Sequence, residues 1–141
     1  MNKIKALQDN NESSSINIVS GNKKRILLVD DEPDITFTYK MALESSRLFE
    51  VYTFNDPLKA VVNFRVHFYD LVISDIKMPE MNGFIFCRKL KEMDNNIRIC
   101  FLSASEEEIY HQYNEELELA SYLKKPTSII ELIKQINSIL Q

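Results

Sequence analysis

Glycine is nearly missing from this chain. Its 141 residues hold two, Gly21 and Gly83, so there is no Gly-x-x-x-x-Gly-Lys loop to cradle the phosphates of a nucleotide. Histidine is as scarce. His67 and His111 lack the company that a zinc site needs, and both read as surface residues. The two cysteines, Cys87 and Cys100, stand in apolar surroundings and read as buried reduced thiols rather than a disulfide or a metal pair. No apolar run reaches the length of a signal peptide core or a membrane span. A soluble cytoplasmic protein without membrane contact is therefore expected. A basic stripe is absent too. The net charge is −4, with both signs spread along the chain, which argues against direct nucleic-acid binding.

What is present is an ordinary globular composition. Hydrophobic residues make up 45%, enough for one real core in one domain. Residues 1–22 differ from the rest. Asn10-Asn11-Glu12-Ser13-Ser14-Ser15 is polar and of low complexity, so this stretch is expected to be a flexible N-terminal arm, with the folded domain over 23–141. From Lys23 onward, short apolar runs alternate with amphipathic segments. The pattern predicts strands over 24–29, 49–54, 71–74, 97–102 and 120–124. It predicts helices over 34–46, 57–68, 84–93 and 105–117, and a last one from about Thr127 almost to Gln141. Strict alternation of this kind argues for α/β architecture: a doubly wound, five-stranded parallel sheet with five helices. Strands one, three and four are almost wholly apolar, as expected when helices cover both faces.

The polar residues of interest all fall where apolar runs end. Asp30 and Asp31 follow Ile26-Leu27-Leu28-Val29, Asp75 follows Leu71-Val72-Ile73-Ser74, Ser103 ends the fourth run, and Lys125 ends the fifth before Pro126. In an open parallel sheet the carboxyl ends of the strands form the ligand crevice. Three acids and a lysine would meet there. Hard oxygen donors suit magnesium, and a carboxylate beside that cation can attack phosphorus and become an aspartyl phosphate. Taken singly, an Asp-Asp pair is usually a solvated turn and a Ser after a strand usually a helix cap. The combination at matching strand ends favours the functional reading.

These pieces resemble the receiver domain of two-component response regulators, in its stand-alone form. The resemblance runs from about residue 23 to 140. It is carried by Ile26-Leu27-Leu28-Val29-Asp30-Asp31-Glu32-Pro33, Asp75-Ile76-Lys77-Met78-Pro79-Glu80-Met81-Asn82-Gly83, Ser103-Ala104 and Tyr122-Leu123-Lys124-Lys125-Pro126. It implies a flavodoxin-like sheet of strand order 2-1-3-4-5. It also implies that Asp75 is the phosphoacceptor, and that Asp30, Asp31, Asp75 and the backbone carbonyl of Lys77 hold magnesium, with Asp31 the more direct ligand of the first pair. Ser103 and Lys125 would bind the phosphoryl group. Tyr122 would be the aromatic switch, Ala104 the small residue that gives it room, and the Lys77 side chain a modulator of phosphoryl lifetime. The Lys125-Pro126 bond is expected to be cis.

The implied partners are a histidine kinase or phosphotransfer protein, since the phosphoryl donor must be another molecule, and an unidentified downstream protein. The expected signalling face joins the fourth helix, with Tyr110 and Tyr113, to the fifth strand, with Lys124, and the fifth helix. A monomer or a weak phosphorylation-dependent dimer is expected, and an acceptor with slow self-dephosphorylation rather than a dedicated enzyme. Because the sequence ends about one residue past the last helix, output is expected on another protein or through a phosphorelay step. The alternatives are a phosphorelay intermediate and a magnesium-dependent aspartyl-phosphate phosphotransferase or phosphatase. The second would need an acid where Lys77 stands. Two departures from the family pattern, Glu118-Leu119 before the fifth strand and Thr127 after Lys125-Pro126, bear on the signalling surface rather than the acid site.

Overall fold

The computed structural model describes residues 22–104, 121–125 and 127–141. The five strands are β1 (Lys24–Val29), β2 (Phe49–Phe54), β3 (Leu71–Ser74), β4 (Arg98–Ser103) and β5 (Ser121–Lys124). They form one parallel sheet in the order β2-β1-β3-β4-β5. Among the described residues, four helices accompany it: α1 (Pro33–Ser45), α2 (Pro57–Val62), α3 (Gly83–Met93) and a C-terminal helix, Ile129–Leu140. The fourth helix expected over 105–117, with Tyr110, His111 and Tyr113, lies outside the described residues. So do the expected arm, apart from Asn22, and the cis bond to Pro126.

Alternation along the central strands decides which helix each residue meets. Leu27, Val29, Val72, Ile99 and Phe101 pack on one face with Phe84, Phe86, Cys87 and Leu90 of α3 and Ala60 of α2. Ile26, Leu28, Leu71, Ile73, Cys100 and Leu102 pack on the other with Leu43 of α1 and Leu132 and Ile136 of the C-terminal helix. Successive side chains of a strand point to opposite faces, so a continuous apolar run fills two cores at once. That is why these runs show no polar alternation.

The helices begin where the sequence signals them. Pro33 and Pro57 stand in first turns, where the missing N–H has no bond to lose. Asp56 Oδ1 accepts from Leu58 N at 2.9 Å, Asn82 Oδ1 from Ile85 N at 2.9 Å and Ser128 Oγ from Glu131 N at 3.1 Å.

One boundary differs from expectation by more than two residues. The second helix stops at Val62 instead of Phe68. Asn63 turns its side-chain amide back to Lys59 O at 2.8 Å, and Phe64 N bonds Val61 O. Beyond it, Phe64 stacks on Tyr69 at 5.5 Å and Phe68 meets Tyr52 edge-on at 5.3 Å. Continued helix would place Phe64, Phe68 and Tyr69 at fixed angles around one axis. The aromatic cluster against β2 requires a reversal, and His67 provides it with φ 63° and a backbone bond to Asp94 Oδ2 at 2.8 Å. The His67 side chain is exposed, as expected.

The thiols behave as read from the sequence. Cys87 and Cys100 are both buried and free. Burial pushes the Cys100 thiol up to about 12 and the Cys87 thiol higher still. Both should resist a charged alkylating reagent in the native protein at neutral pH and react fully in urea, as read by intact mass.

Candidate functional site

The register puts the acids side by side. Val29 pairs with Ser74 across β1 and β3, so Asp30 and Asp75 leave adjacent strands at the same level, and Asp75 N bonds Val29 O at 3.0 Å. Asp30, Asp31 and Asp75 each bring one carboxylate oxygen within 4.8 Å of the others. Lys125 arrives from the end of β5. Its Nζ lies 2.6 Å from Asp30 Oδ2, 3.5 Å from Asp75 Oδ2 and 3.6 Å from Glu32 Oε1. Every residue of the expected charged set is therefore in one crevice.

Local bonds aim each acid. Asp30 Oδ1 accepts from Glu32 N at 2.9 Å, which leaves Oδ2 for Lys125. Asp75 Oδ1 accepts from Ile76 N at 2.8 Å, which leaves Oδ2 facing the crevice. Asp30 and Asp75 are buried, while Asp31 is half-buried and Glu32 exposed. Burial is the largest influence on Asp30 and raises its pKa. Lys125 and the Glu32 amide oppose it without cancelling it, and Asp75 adds repulsion. For Lys125, burial acts to lower the pKa, but the Asp30 hydrogen bond and the charges of Asp30, Asp75 and Glu32 together outweigh it, and the ammonium is held above its ordinary range. Among the described residues, the crevice thus sets three acids against the Lys125 ammonium.

Three carboxylates so close suit a hard divalent cation. Each offers one carboxylate oxygen, and the three lie within 4.8 Å of one another. The donor set fits.

Gly83 explains why the segment after Asp75 must return on itself. Its N donates to Ile76 O at 2.7 Å, and a Cβ built on it would run into the carbonyl oxygen of Asp75. The first turn of α3 therefore seats directly on the backbone of the acid. Gly83→Ala should cost about 1–3 kcal/mol, the usual range for forcing atoms into a packed site. It should also displace the Asp75 carboxylate, because the backbone of that residue has to shift. Urea unfolding and the backbone amide shifts of Asp75 and Ile76 check both.

The remaining expected residues are placed as follows. Ser103 ends β4, its side chain lying outside the described residues, and exposed Ala104 follows it. Lys77 is exposed two residues past Asp75. Tyr122 pairs in register with Phe101 and packs half-buried against the cluster that includes Phe84 and Phe101. Two residues near the acids were not assigned a role from the sequence. Glu32 stands within reach of Lys125, and its place in the acidic run Asp30-Asp31-Glu32 was the available signal. Asn55 donates from Nδ2 to the carbonyl of Asp30 at 2.8 Å. An Asn after a strand signals only a turn, so nothing in the sequence marked it.

A parallel sheet of order β2-β1-β3-β4-β5, with paired acids after β1, one acid after β3 and a lysine after β5, defines a flavodoxin-like α/β protein with an acidic crevice at the carboxyl ends of its strands. The sequence model of the response regulator receiver domain matches residues 26–137, and the chain belongs to that family. Over 117 residues it is 32% identical to the transcriptional regulatory protein PrrA of Mycobacterium leprae, covering 83% of this chain and 50% of PrrA. Over 118 residues it is 30% identical to the alkaline phosphatase synthesis transcriptional regulatory protein PhoP of Bacillus subtilis, covering 84% and 49%. The chain spans about half the length of these curated relatives. Among solved structures, the chemotaxis protein CheY4 of Vibrio cholerae superposes with a TM-score of 0.75 at 25% identity, over 84% of this chain and 99% of that one. The non-phosphorylated HemR receiver domain of Leptospira biflexa gives 0.74 at 26% identity, over 84% and 95%. Among the described residues no helix is long and apolar enough to cross a membrane.

Proposed function

We propose that this receiver domain takes a phosphoryl group from the phosphohistidine of a histidine kinase or phosphotransfer protein onto Asp75, and passes the change to a downstream protein. The observation that carries this reading is Lys125 Nζ, held 2.6 Å from Asp30 and 3.5 Å from Asp75 in a buried crevice of three acids.

Asp75 Oδ2 is the nucleophile, since Oδ1 is committed to the Ile76 amide. Its oxygen forms the new bond to phosphorus as the phosphorus–nitrogen bond of the phosphohistidine breaks. The departing imidazole keeps the electron pair and takes up a proton. Asp30, Asp31, Asp75 and the Lys77 carbonyl would hold magnesium, which when bound neutralises charge on the phosphoryl oxygens. Lys125 supplies a further positive charge at those oxygens and leaves Asp75 to do so. The Ser103 hydroxyl donates a hydrogen bond to the same group. Exposed Lys77 governs how readily water reaches the acyl phosphate. With a lysine rather than an acid at this position, the chain acts as an acceptor with slow self-dephosphorylation and not as a dedicated phosphatase.

Output runs through Ala104, Tyr122, β5 and the C-terminal helix, together with residues 105–117, which lie outside the described residues. The phosphoryl group biases these elements only by its different contacts in two states. Half-burial of Tyr122 supports the reading, because a side chain at the boundary of the core can exchange between inner and outer positions. The working state is a cytoplasmic monomer or a weak phosphorylation-dependent dimer.

Acetyl phosphate with magnesium should add one phosphoryl group by intact mass, and a chelator should abolish the addition. Labelling that survives chelation would overturn the magnesium role. Beryllofluoride with magnesium should shift backbone amides from Ser103 to Leu117 and from Ser121 to Lys125. Shifts confined to the surroundings of Asp75 would mark a phosphorelay intermediate instead.

A further inference from the structure

We propose that Asn55 is a positioning residue for the divalent cation, acting through the peptide that joins Asp30 to Asp31. The inference rests on the reading of the acid cluster as a magnesium site. The loop from Asp30 to Pro33 carries both of the paired acids between β1 and α1. Glu32, the residue at the helix entry, makes no side-chain cap on α1, so the loop depends on other anchors. Asn55 Nδ2, just past the end of β2, donates to Asp30 O at 2.8 Å and to Thr36 Oγ1 at 2.9 Å. Thr36 Oγ1 in turn donates to Pro33 O at 3.1 Å.

The direction of this chain is fixed by chemistry. The Asp30 carbonyl can only accept, so the amide nitrogen of Asn55 must face it. The Thr36 hydroxyl gives its hydrogen to Pro33 and is left to accept from Asn55. One side-chain amide therefore ties both ends of the acidic loop, Asp30 directly and Pro33 through Thr36. The Asp30 carbonyl shares a planar peptide with the nitrogen of Asp31. Holding that carbonyl sets the direction in which Asp31 leaves the strand. Asp31 is the half-buried acid of the cluster and has the least packing of its own to orient it. Thr36 is only 4% exposed, so the relay is shielded from water on that side.

The test measures the magnesium dissociation constant of the whole chain by amide shifts, with urea unfolding alongside. Asn55→Ala and Thr36→Val should each weaken binding by about tenfold, the usual loss when a partner that orients a ligand is removed. Thr36→Ser, which keeps the hydroxyl, should retain wild-type affinity. The double variant Asn55→Ala with Thr36→Val should bind no more weakly than either single one, since both break one chain. Asn55→Asp is the sharpest probe. It keeps the shape but turns an oxygen toward the Asp30 carbonyl, and it adds negative charge near the cation. Weaker binding supports the positioning role, whereas tighter binding through the added charge overturns it. Wild-type affinity in Asn55→Ala also overturns it. A folded wild-type protein that binds no magnesium overturns the reading of the acid cluster itself, and the inference with it.

Discussion

Asp75→Asn should take up no phosphoryl group from acetyl phosphate and magnesium, under conditions in which the wild-type protein is fully labelled. The substitution keeps the shape of the side chain and the bond from the Ile76 amide, but it replaces the nucleophilic oxygen with an amide. Asp30 should not substitute as acceptor. One of its oxygens is taken by the Glu32 amide and the other by Lys125 at 2.6 Å. Asp31 is more open, but it lacks the close contact to Lys125 that Asp75 has. Intact mass read over a time course checks this, and labelling of the variant at the wild-type rate would exclude Asp75 as the acceptor. The variant should fold normally. Removing one charge from a repelling set stabilises it, which urea unfolding will register as an unchanged or raised midpoint.

Lys125→Met should have the largest effect on stability, a loss of about 3 kcal/mol at neutral pH without magnesium. That is the usual cost of leaving buried charge unpaired. Methionine keeps most of the length and packing of the lysine stem, so the loss reports charge rather than a cavity. Its pH dependence has a definite sign. The Asp30 carboxyl is raised in the folded protein, chiefly by burial, and removal of Lys125 raises it further. A raised carboxyl favours the folded state when protonated. The deficit of the variant should therefore be small below the ordinary carboxylate value of 3.8 and grow as pH rises through the folded value. At the alkaline end the wild-type protein should show a step that the variant lacks. The lysine is held above its ordinary 10.5, so its stabilisation is complete below that value and lost as pH rises through the higher folded one. Magnesium should restore part of the deficit of the variant at neutral pH, because a bound cation replaces the missing positive charge. Urea unfolding at several pH values, with and without magnesium, measures all of this. Equal stability of the two proteins at neutral pH would show that the lysine does not offset the acids.

The charged set was legible from sequence because each member sits one or two residues past a short apolar run. A run of that kind reads as a strand buried on both faces, and the end of such a strand is an address in space. That argument alone brings Asp30, Asp31, Asp75 and Lys125 together. Gly83 was legible as part of a spaced motif, but its reason was not. Only the approach of α3 to the Asp75 carbonyl shows what a side chain there would strike. The second helix ends at Val62, short of what the apolar spacing implies, since that spacing continues a helical pattern through Phe64 and Phe68. The competing pull came from Tyr52 on another strand and Tyr69 beyond the segment.

What the sequence determined by itself was therefore whatever depends on local pattern: the alternation of strands and helices, the covering of both sheet faces and the placing of acids at strand ends. Tertiary structure alone decided what depends on the meeting of distant segments. The 95-residue separation of Lys125 from Asp30 closes to 2.6 Å, and the raised state of both groups exists only because burial and neighbouring charge act on them together. Asn55 belongs to the same class. An exposed asparagine after a strand carries no pattern of its own, and its bond to Asp30 arises only because β2 lies beside β1 in the sheet. Local preference is a property of neighbouring residues and can be read along the chain. Electrostatic coupling and side-chain to backbone bonding across strands are properties of proximity, which only the fold supplies.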